Sequence, residues 1–260
     1  MPSPLVDAMI AASRAGARVL VDCFAELPRL TVTEKGPSDF VSQADLRSED
    51  AIKDALTAFD RAARFQAEES VSDRVTEGPR FLVDPLDGTT NFLYGIPHFA
   101  VTIAFADERG VVAGVVLDPM RDELFWAERG AGAFLGERRL AASKCTSLEG
   151  AVVHTGVPHR GRGDHETYLR KLRAVMARVA GVRRMGAAAL DFAYVAAGRG
   201  DGFFEFGLAP WDVAAGALLV QEAGGVVTDL SGGSAFEARR EVIAAGAGLQ
   251  AGLLAVVAAA

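Results

Sequence analysis

The order of the elements predicted from the sequence indicates a layered protein of the α+β or α/β class. Two segments with helical periodicity open the chain, and short segments rich in β-branched and aromatic residues follow them. Beyond Ala151, strand-like and helix-like segments alternate. Blocks of this kind pack as layers around a shared core. We expect one compact catalytic unit with a soft boundary between residues 1–150 and 151–260, since no linker composition marks that point.

The first two helices are predicted from spacing and capping. Apolar residues recur near helical spacing at Leu5, Met9, Ala12, Val19 and Phe24. The stretch SQADLRSEDAIKDALTAF repeats this period, and Ser42 at its start is a suitable N-cap. Asp45 stands where the acidic member of a capping box belongs.

The middle of the chain is predicted to form a sheet with several antiparallel neighbours. Its candidate strands are RFQAEES, PRFLVDPLDG, FAVTIAFAD, GVVAGVVLD and DELFWAER. Further on, the predicted order is a strand at AVVHTG, helices near HETYLRKLRAVMARVA and GAAALDFAYVAAG, a strand at DGFFEF, a helix at PWDVAAGALLVQEAG and strands near VVTDL and VIAAG. The apolar end AGLLAVVAAA is shorter than the about 20 residues that cross a bilayer, so we expect a terminal helix packed on the core.

Composition excludes several classes of function. The 34 acidic and 27 basic side chains give a net charge of -7, which disfavours binding to a nucleic-acid backbone. Cys23 and Cys145 fit neither a metal-ligand spacing nor a disulfide framework, so we expect reduced thiols. Charged residues interrupt the apolar N-terminal stretch, so we expect no signal peptide, no membrane association and a cytoplasmic location. The histidines show no paired zinc spacing and receive no catalytic role.

The stretch VDPLDGTTNF carries the most information about chemistry. An apolar strand ends there in Asp84 and Asp87, and Gly88 and Thr89 follow. Magnesium is usually held by a few carboxylates together with water and substrate phosphate. The N–H groups of Gly88 and Thr89 would cradle a phosphate if a short helix begins at this point. An Asp-Pro turn followed by a Gly turn uses the same residues, so the stretch alone leaves both interpretations open.

The pattern D-P-x-D-G-T-T-N-F resembles the signature of the inositol monophosphatase family. Further segments resemble other motifs of that family in the same order. EKGPSDFVSQAD is similar to the first motif at Lys35, Asp39, Val41, Ser42 and Asp45. AEES is similar to the paired glutamates at Glu68 and Glu69, which would otherwise be solvated charges. GAAALDFAYVAAGRGDGFFE, PWDVAAG and EAGG resemble the C-terminal half, where Trp211 reads as an aromatic anchor in the core.

The resemblance implies a fold, an activity and a metal requirement. The implied fold is α+β, a layered α-β-α-β-α sandwich of the inositol monophosphatase and fructose-1,6-bisphosphatase type. The implied activity is magnesium-dependent hydrolysis of a small phosphate monoester. A lithium-sensitive homodimer is also expected from the resemblance.

The same resemblance implies roles for individual residues. One magnesium would be held by Glu68, Asp84 and the carbonyl of Leu86, and a second by Asp84, Asp87 and Asp212. Thr89 and Asp45 would orient and deprotonate the attacking water. A third, weakly held magnesium is expected near the paired glutamates, giving two or three per subunit. Substrate contacts are implied for Gly88, Thr89, Gly186, Ala187, Ala188, Glu205 and Asp212.

Two positions bear on the substrate, Ala187 and Glu205, and a third, Ala67, bears on the backbone beside the paired glutamates. Ala187 stands where many inositol phosphatases carry Ser or Thr, and Ala67 replaces a glycine that often precedes the paired glutamates. Glu205 matches the family's carboxylate that accepts hydrogen bonds from substrate hydroxyls, although it would also suit an edge-strand charge. Ala187 removes a hydroxyl contact to inositol, whereas Glu205 favours a polyol. We rank myo-inositol monophosphate first because Thr90 argues against two of the alternative substrates.

Other substrates and one other class of function stay open. The alternative substrates are those of fructose-1,6-bisphosphatase, histidinol-phosphate phosphatase and 3′-phosphoadenosine 5′-phosphate phosphatases. Thr90 argues against the last two, which resemble D-G-T-K at this point. The alternative of another class is a non-enzymatic partner of the transcription machinery.

Overall fold

The computed structural model describes residues 1–27, 32–36, 39–70, 77–159 and 163–260. In the two strands within residues 32–41, the description covers the backbone alone. The side chains of Lys35, Asp39 and Val41, which carried part of the family resemblance, therefore lie outside the described residues.

The helices of the described residues include the two predicted at the N-terminus and the terminal one. They are α1 (Pro4–Ala25), α2 (Gln43–Phe59), α3 (Thr89–Leu93), α4 (His165–Met176), α5 (Ala188–Ala196), α6 (Pro210–Glu222), α7 (Phe236–Arg239) and α8 (Gln250–Ala259). In α2, Ser42 and Asp45 form the predicted capping box. None of the helices described is long and apolar enough to cross a membrane.

The strands include every predicted one and several short ones that were missed. They are β1 (Val32–Gly36), β2 (Asp39–Ser42), β3 (Phe65–Ala67), β4 (Arg80–Asp87), β5 (Ala100–Asp107), β6 (Gly110–Asp118), β7 (Glu123–Glu128), β8 (Gly132–Leu135), β9 (Arg138–Arg139), β10 (Val152–Thr155), β11 (Gly181–Arg183), β12 (Gly202–Phe206), β13 (Gly225–Thr228) and β14 (Glu241–Gly246).

The strands form two main sheets and one hairpin. The seven-stranded sheet has the order β3-β4-β5-β6-β7-β8-β9. All its pairs are antiparallel except β3 with β4, which confirms the predicted sheet with antiparallel neighbours. The five-stranded sheet has the order β11-β10-β12-β14-β13 and mixes parallel with antiparallel pairs. The hairpin joins β1 and β2.

The sheets and helices stack as α-β-α-β-α. Because strand side chains alternate between faces, Phe81 and Val83 of β4 pack toward α1 and α2, whereas Leu82 packs toward α5 and α6. The same alternation in β12 directs Phe203 toward α5 and α6, and Phe204 toward α4 and α8. The helices α5 and α6 thus form the central layer, and the layered sandwich expected from the resemblance is confirmed.

The helix α6 approaches its neighbours closely because small residues face them. A Cβ at Gly114 of β6 would lie 2.8 Å from Cα of Ala215. A Cβ at Gly216 would lie 2.5 Å from Cβ of Phe192 in α5. These two contacts fix α6 against the larger sheet and against α5.

Candidate active site

The end of β4 is irregular at the point where it carries two carboxylates. The pairing with β5 shifts register between Asp84 and Asp87, which is the mark of a bulge. Pro85 lies inside it and has no N–H to donate to the ladder. Asp84 Oδ1 instead accepts the N–H of Leu86 at 2.9 Å.

The turn after the bulge requires glycine. Gly88 has φ of 93°, a left-handed conformation, and it caps α3. A Cβ at this position would lie 3.2 Å from the carbonyl oxygens of both Gly186 and His98. The predicted short helix does begin at Thr89, so the N–H groups of its first turn have no acceptor within the helix.

Thr89 and Asp45 meet although they belong to different helices. The hydroxyl of Thr89 lies 3.4 Å from Asp45 Oδ1 and 3.1 Å from the carbonyl oxygen of Leu86. Asp45 Oδ2 accepts both the N–H of Ser42 at 2.8 Å and its hydroxyl at 2.6 Å. Asp45 therefore serves both as the acidic member of the α2 capping box and as a partner of Thr89.

Asp87 caps a helix of the other half of the chain. Ala187, the N-cap of α5, has no side chain that could accept a hydrogen bond. Asp87 Oδ1 accepts the N–H of Ala188 at 3.2 Å, and Oδ2 accepts that of Ala189 at 2.7 Å. The carboxylate also compensates the positive end of the α5 dipole.

Asp212 and Glu205 come from the five-stranded sheet and its helices. Asp212 lies in the first turn of α6, and its Oδ2 accepts the N–H of Ala209 at 2.7 Å. Glu205 lies on β12, and its carboxylate occupies the space that a Cβ at Gly156 would fill, 1.8 Å from Oε1. Gly156 thus makes room for Glu205.

These residues line one cavity of about 590 Å³ between the two halves. Every residue predicted for the site except Asp45 lies in its wall: Glu68, Asp84, Leu86, Asp87, Gly88, Thr89, Gly186, Ala187, Ala188, Glu205 and Asp212. Asp45 lies behind Thr89 rather than in the wall. A volume of this size suits a small organic ligand.

Burial raises the pKa of the acids in this cavity, and neighbouring carboxylates add to the shift in most of them. Burial raises the pKa of Asp84 well above its ordinary value, and the charges of Glu68, Asp87 and Asp212 raise it further. Burial and the charge of Asp212 raise the pKa of Asp87 to about 8, although two backbone N–H groups oppose the shift. Burial raises the pKa of Asp212 to about 6, against the hydrogen bond from Ala209 and the charge of Arg240. Burial and the neighbouring acids also raise the pKa of Glu205.

The donor chemistry of the cavity fits a hard divalent cation. Carboxylates and a main-chain carbonyl are the ligands that magnesium prefers, and a cation would stabilise the charged carboxylates that burial and mutual repulsion disfavour. As arranged, no three His, Cys, Asp or Glu side chains within the described ranges form a group that could hold a metal ion. The cavity is therefore judged to suit magnesium by its oxygen donors and by its cluster of negative charges.

The two departures from the family pattern have structural explanations. Ala67 pairs with Val83 in the regular part of β3, and it is 1% exposed. A residue in regular strand conformation does not need the conformational freedom of glycine, so alanine fits at this position. Ala187 is 2% exposed beside the Gly88 turn, and a larger side chain would press on that turn.

Several polar residues near the site were missed by the sequence analysis. Glu49 of α2 accepts the N–H of Glu69 at 2.9 Å. Asp191 in the first turn of α5 pairs with His154 Nδ1 at 2.8 Å, and both are buried. Arg240 lies in the cavity wall near Asp212. For Glu49, the sequence signal that could have been used is helical spacing. It lies on the buried stripe of α2, which contains Asp45, Ser48, Glu49, Ile52 and Leu56.

Known proteins are similar to this chain in sequence and in fold. The model of the inositol monophosphatase family matches residues 1–260. An inositol-1-monophosphatase from Rhizobium meliloti is 51% identical over 232 residues, which cover 89% of this chain and 87% of the relative. A Nus factor SuhB from Pseudomonas aeruginosa is 44% identical over 246 residues, covering 93% and 91%. The crystal structure of the extragenic suppressor protein SuhB from Bartonella henselae has a TM-score of 0.94 and 47% identity, covering 98% of each chain.

The layered fold and the acidic cavity, together with these relatives, define a phosphatase of the α+β class. The chain belongs to the inositol monophosphatase family, whose members use divalent metal ions.

Proposed function

We propose that this protein hydrolyses the monophosphate ester of a small polyol in a magnesium-dependent reaction, with myo-inositol monophosphate as the first-ranked substrate. The observation that supports this most strongly is that Asp84 and Asp87 of β4 and Asp212 of α6 line one cavity, which Glu205 of β12 also lines. The relative named inositol-1-monophosphatase supports the ranking.

Magnesium would be held by two overlapping sets of oxygen donors. One set is Glu68, Asp84 and the Leu86 carbonyl, and the other is Asp84, Asp87 and Asp212. When bound, magnesium supplies positive charge that offsets the phosphate dianion and makes a water molecule more acidic. A third magnesium beside Glu68 and Glu69 belongs to the same proposal.

Thr89 and Asp45 would act on the attacking water. The Thr89 hydroxyl can donate to Asp45, and its oxygen can then accept a hydrogen bond from water. Asp45 is held in place by two donors from Ser42, so it is oriented before substrate arrives. The pair would thus orient the water and receive its proton.

The remaining residues would hold the substrate. Gly88 and the first turn of α3 offer N–H groups to the phosphate oxygens. Gly186, Ala187 and Ala188 form the facing wall. Glu205 would accept hydrogen bonds from the polyol hydroxyls, which favour its charged form against the surrounding acids.

A phosphate-release assay tests this proposal. We expect purified protein to release phosphate from inositol 1-phosphate with magnesium and to stop when chelator is in excess. Calcium should bind but support little turnover, because its looser coordination misplaces the water. Robust release in excess chelator would contradict the mechanism. Fructose 1,6-bisphosphate, histidinol phosphate and 3′-phosphoadenosine 5′-phosphate, assayed in parallel, rank the alternative substrates.

The same proposal includes three further properties: inhibition by lithium, a homodimeric state and a cytoplasmic location. Lithium should inhibit by occupying a magnesium position, so full activity at high lithium concentration would count against the proposed site. Light scattering of the purified protein measures the number of subunits, and cell fractionation measures the location.

A second candidate function is a role as a partner of the transcription machinery. Relatives named Nus factor SuhB, at 44% identity in Pseudomonas aeruginosa and 39% in Escherichia coli, favour this candidate. We expect a pull-down from lysate to recover transcription proteins with both wild type and an Asp87→Asn variant, if the role is independent of catalysis. Recovery of none by either protein would exclude the candidate.

A further inference from the structure

Glu49 joins the buried face of α2 to the segment that follows β3. Its Oε2 accepts the N–H of Glu69 at 2.9 Å, and its Oε1 accepts the hydroxyl of Ser70. The ammonium of Lys53, one helical turn further on, lies 3.0 Å from Oε1 and also donates to Ser70 Oγ. We call these groups the Glu49 cluster: Glu49, Lys53, Ser70 and the N–H of Glu69.

The Glu49 carboxylate is almost completely enclosed. Its side chain is 3% exposed, and the side chain of Lys53 is 21% exposed. Burying a carboxylate is unfavourable unless its oxygens find donors, and here both oxygens do. The bonds to Glu69 and Ser70 therefore constrain the position of that backbone relative to α2.

The helix α2 touches the acidic site at further points. The Ser48 hydroxyl donates to the Pro85 carbonyl at 3.0 Å, inside the bulge between Asp84 and Asp87. The same helix carries Asp45, the partner of Thr89. One rigid element therefore contacts the end of β4, the start of α3 and the segment after β3.

The segment that Glu49 holds carries carboxylates of the cavity wall. Glu68 and Glu69 both line the cavity, and they lie in irregular backbone just after the end of β3. The N–H of Glu68 donates to the carbonyl of Val83 at 3.1 Å, which extends the pairing with β4 by one residue. The next constraint along the chain is the bond from Glu69 to Glu49.

We propose that Glu49 is a positioning residue that sets where Glu68 and Glu69 enter the cavity, and that it thereby controls magnesium affinity. This inference rests on the proposed function, in which Glu68 is a ligand. Glu49 itself is not part of the cavity wall. It acts through the backbone of Glu69.

The test uses Glu49→Leu, which removes both acceptor oxygens, and Glu49→Gln, which keeps one of them. The matched control is Asp50→Asn, which removes a carboxylate from the exposed face of the same helix. Lys53→Met removes the ion pair but keeps the acceptor for Glu69. Three quantities are measured: magnesium affinity by calorimetry, hydrogen exchange of the Glu69 amide in the metal-free protein, and the melting temperature.

Loss of a residue that orients a metal ligand lowers metal affinity by about 10–100-fold, so we expect a loss in this range for Glu49→Leu and a smaller loss for Glu49→Gln. The Glu69 amide should exchange faster in both. Asp50→Asn should change neither quantity, and Lys53→Met should lower the melting temperature without weakening magnesium binding. If Glu49→Leu does not fold, Glu49→Gln carries the test.

The outcomes separate this inference from the proposed function. A wild-type protein that neither binds nor requires magnesium would overturn both. A wild type that binds magnesium, with unchanged affinity in the Glu49 variants, would overturn the inference alone. An equal loss of affinity in Lys53→Met would show that affinity follows stability rather than the bond to Glu69, and would also overturn it.

Discussion

Gly88 combines a left-handed backbone with close contacts on both sides. We predict that Gly88→Ala destabilises the protein by about 2–5 kcal/mol, from about 1–2 kcal/mol for the backbone conformation and about 1–3 kcal/mol for overpacking. Phosphate release should fall sharply, because the turn carries the N–H groups proposed to bind phosphate. Denaturant unfolding and the phosphate-release assay measure the two effects.

Gly130→Ala is the matched control for Gly88→Ala. Gly130 has φ of 78° and no heavy atom within 4 Å of the added Cβ, so the substitution costs backbone strain alone. Equal destabilisation in the two variants would show that the contacts of Gly88 with Gly186 and His98 do not matter.

Glu205 should govern substrate affinity more than the chemical step. A hydrogen bond to a charged group contributes roughly 1.5–3 kcal/mol, so we predict that Glu205→Gln raises KM for inositol 1-phosphate by about tenfold or more. A plain aryl phosphate, which lacks the hydroxyls, should be hydrolysed as before. Steady-state kinetics on both substrates make the measurement, and Glu241→Gln removes another carboxylate of the cavity wall as a control. Equal losses on both substrates would remove the support for a polyol.

At the scale of elements, the crossing of α6 against α5 depends on Gly216. An alanine there would gain about 1 kcal/mol of helix propensity, but its Cβ would meet the Phe192 ring at 2.6 Å. Overpacking costs about 1–3 kcal/mol, so we predict a net loss of stability for Gly216→Ala. In α8, Gly252→Ala would meet only Leu148 at 3.9 Å and should be neutral or stabilising. Thermal unfolding compares the two, and a stabilised Gly216→Ala would contradict the packing.

The elements predicted from the sequence are those in which a regular pattern of apolar residues forms a buried face. The stripe of α1 and the alternating residues of β4 show this directly, because their side chains fill the core on both sides of the larger sheet. The strands β9 and β11 were missed because they are two and three residues long and none of their side chains is buried. Pairing with a neighbour makes them strands, and single-sequence periodicity cannot show it. Periodicity also did not show that the chain leaves the helix before β11. The predicted α4 therefore ended at Ala180, whereas the helix ends at Met176.

The predicted site depended on the resemblance more than on local pattern. Asp84, Asp87 and Gly88 are visible as an unusual strand end, but Asp212 and Glu205 meet them only through the packing of the two sheets. Helical spacing places Glu49 on the buried stripe of α2, but the sequence does not show which group its carboxylate contacts. Its role becomes visible only when the backbone of Glu69 is placed beside it.

At the scale of the whole molecule, the acidic cavity makes the metal-free protein sensitive to pH. The folded pKa values of Asp87 and Asp212 are raised to about 8 and about 6, so the folded state retains protons that the unfolded chain loses above about pH 4. The stability associated with these protons is complete below about pH 4 and is lost as the pH rises through the folded values. Acids whose pKa is lowered, such as Asp229, respond only at the acidic end.

We predict that the melting temperature in chelator falls between about pH 5 and 8, and that magnesium reduces this fall. Asp84→Asn and Asp87→Asn should each remove activity while leaving the metal-free fold intact and less dependent on pH, because each removes a repelling charge. The control is Asp54→Asn on the exposed face of α2. A metal-free protein destabilised by either change at the cavity would contradict this account.

The bonds from Ala188 and Ala189 to Asp87 connect residues 101 and 102 positions apart in the chain. Contacts so distant in sequence form late in folding, because closing a long loop costs entropy that only the finished packing offsets. In a Trp211→Phe variant, Trp126, stacked on Phe134 within the larger sheet, is the remaining tryptophan and would report the earlier collapse of that sheet by its fluorescence. During refolding from denaturant, recovery of catalysis would therefore lag behind recovery of the tryptophan signal, and the lag would measure how long the two halves of the polypeptide take to dock.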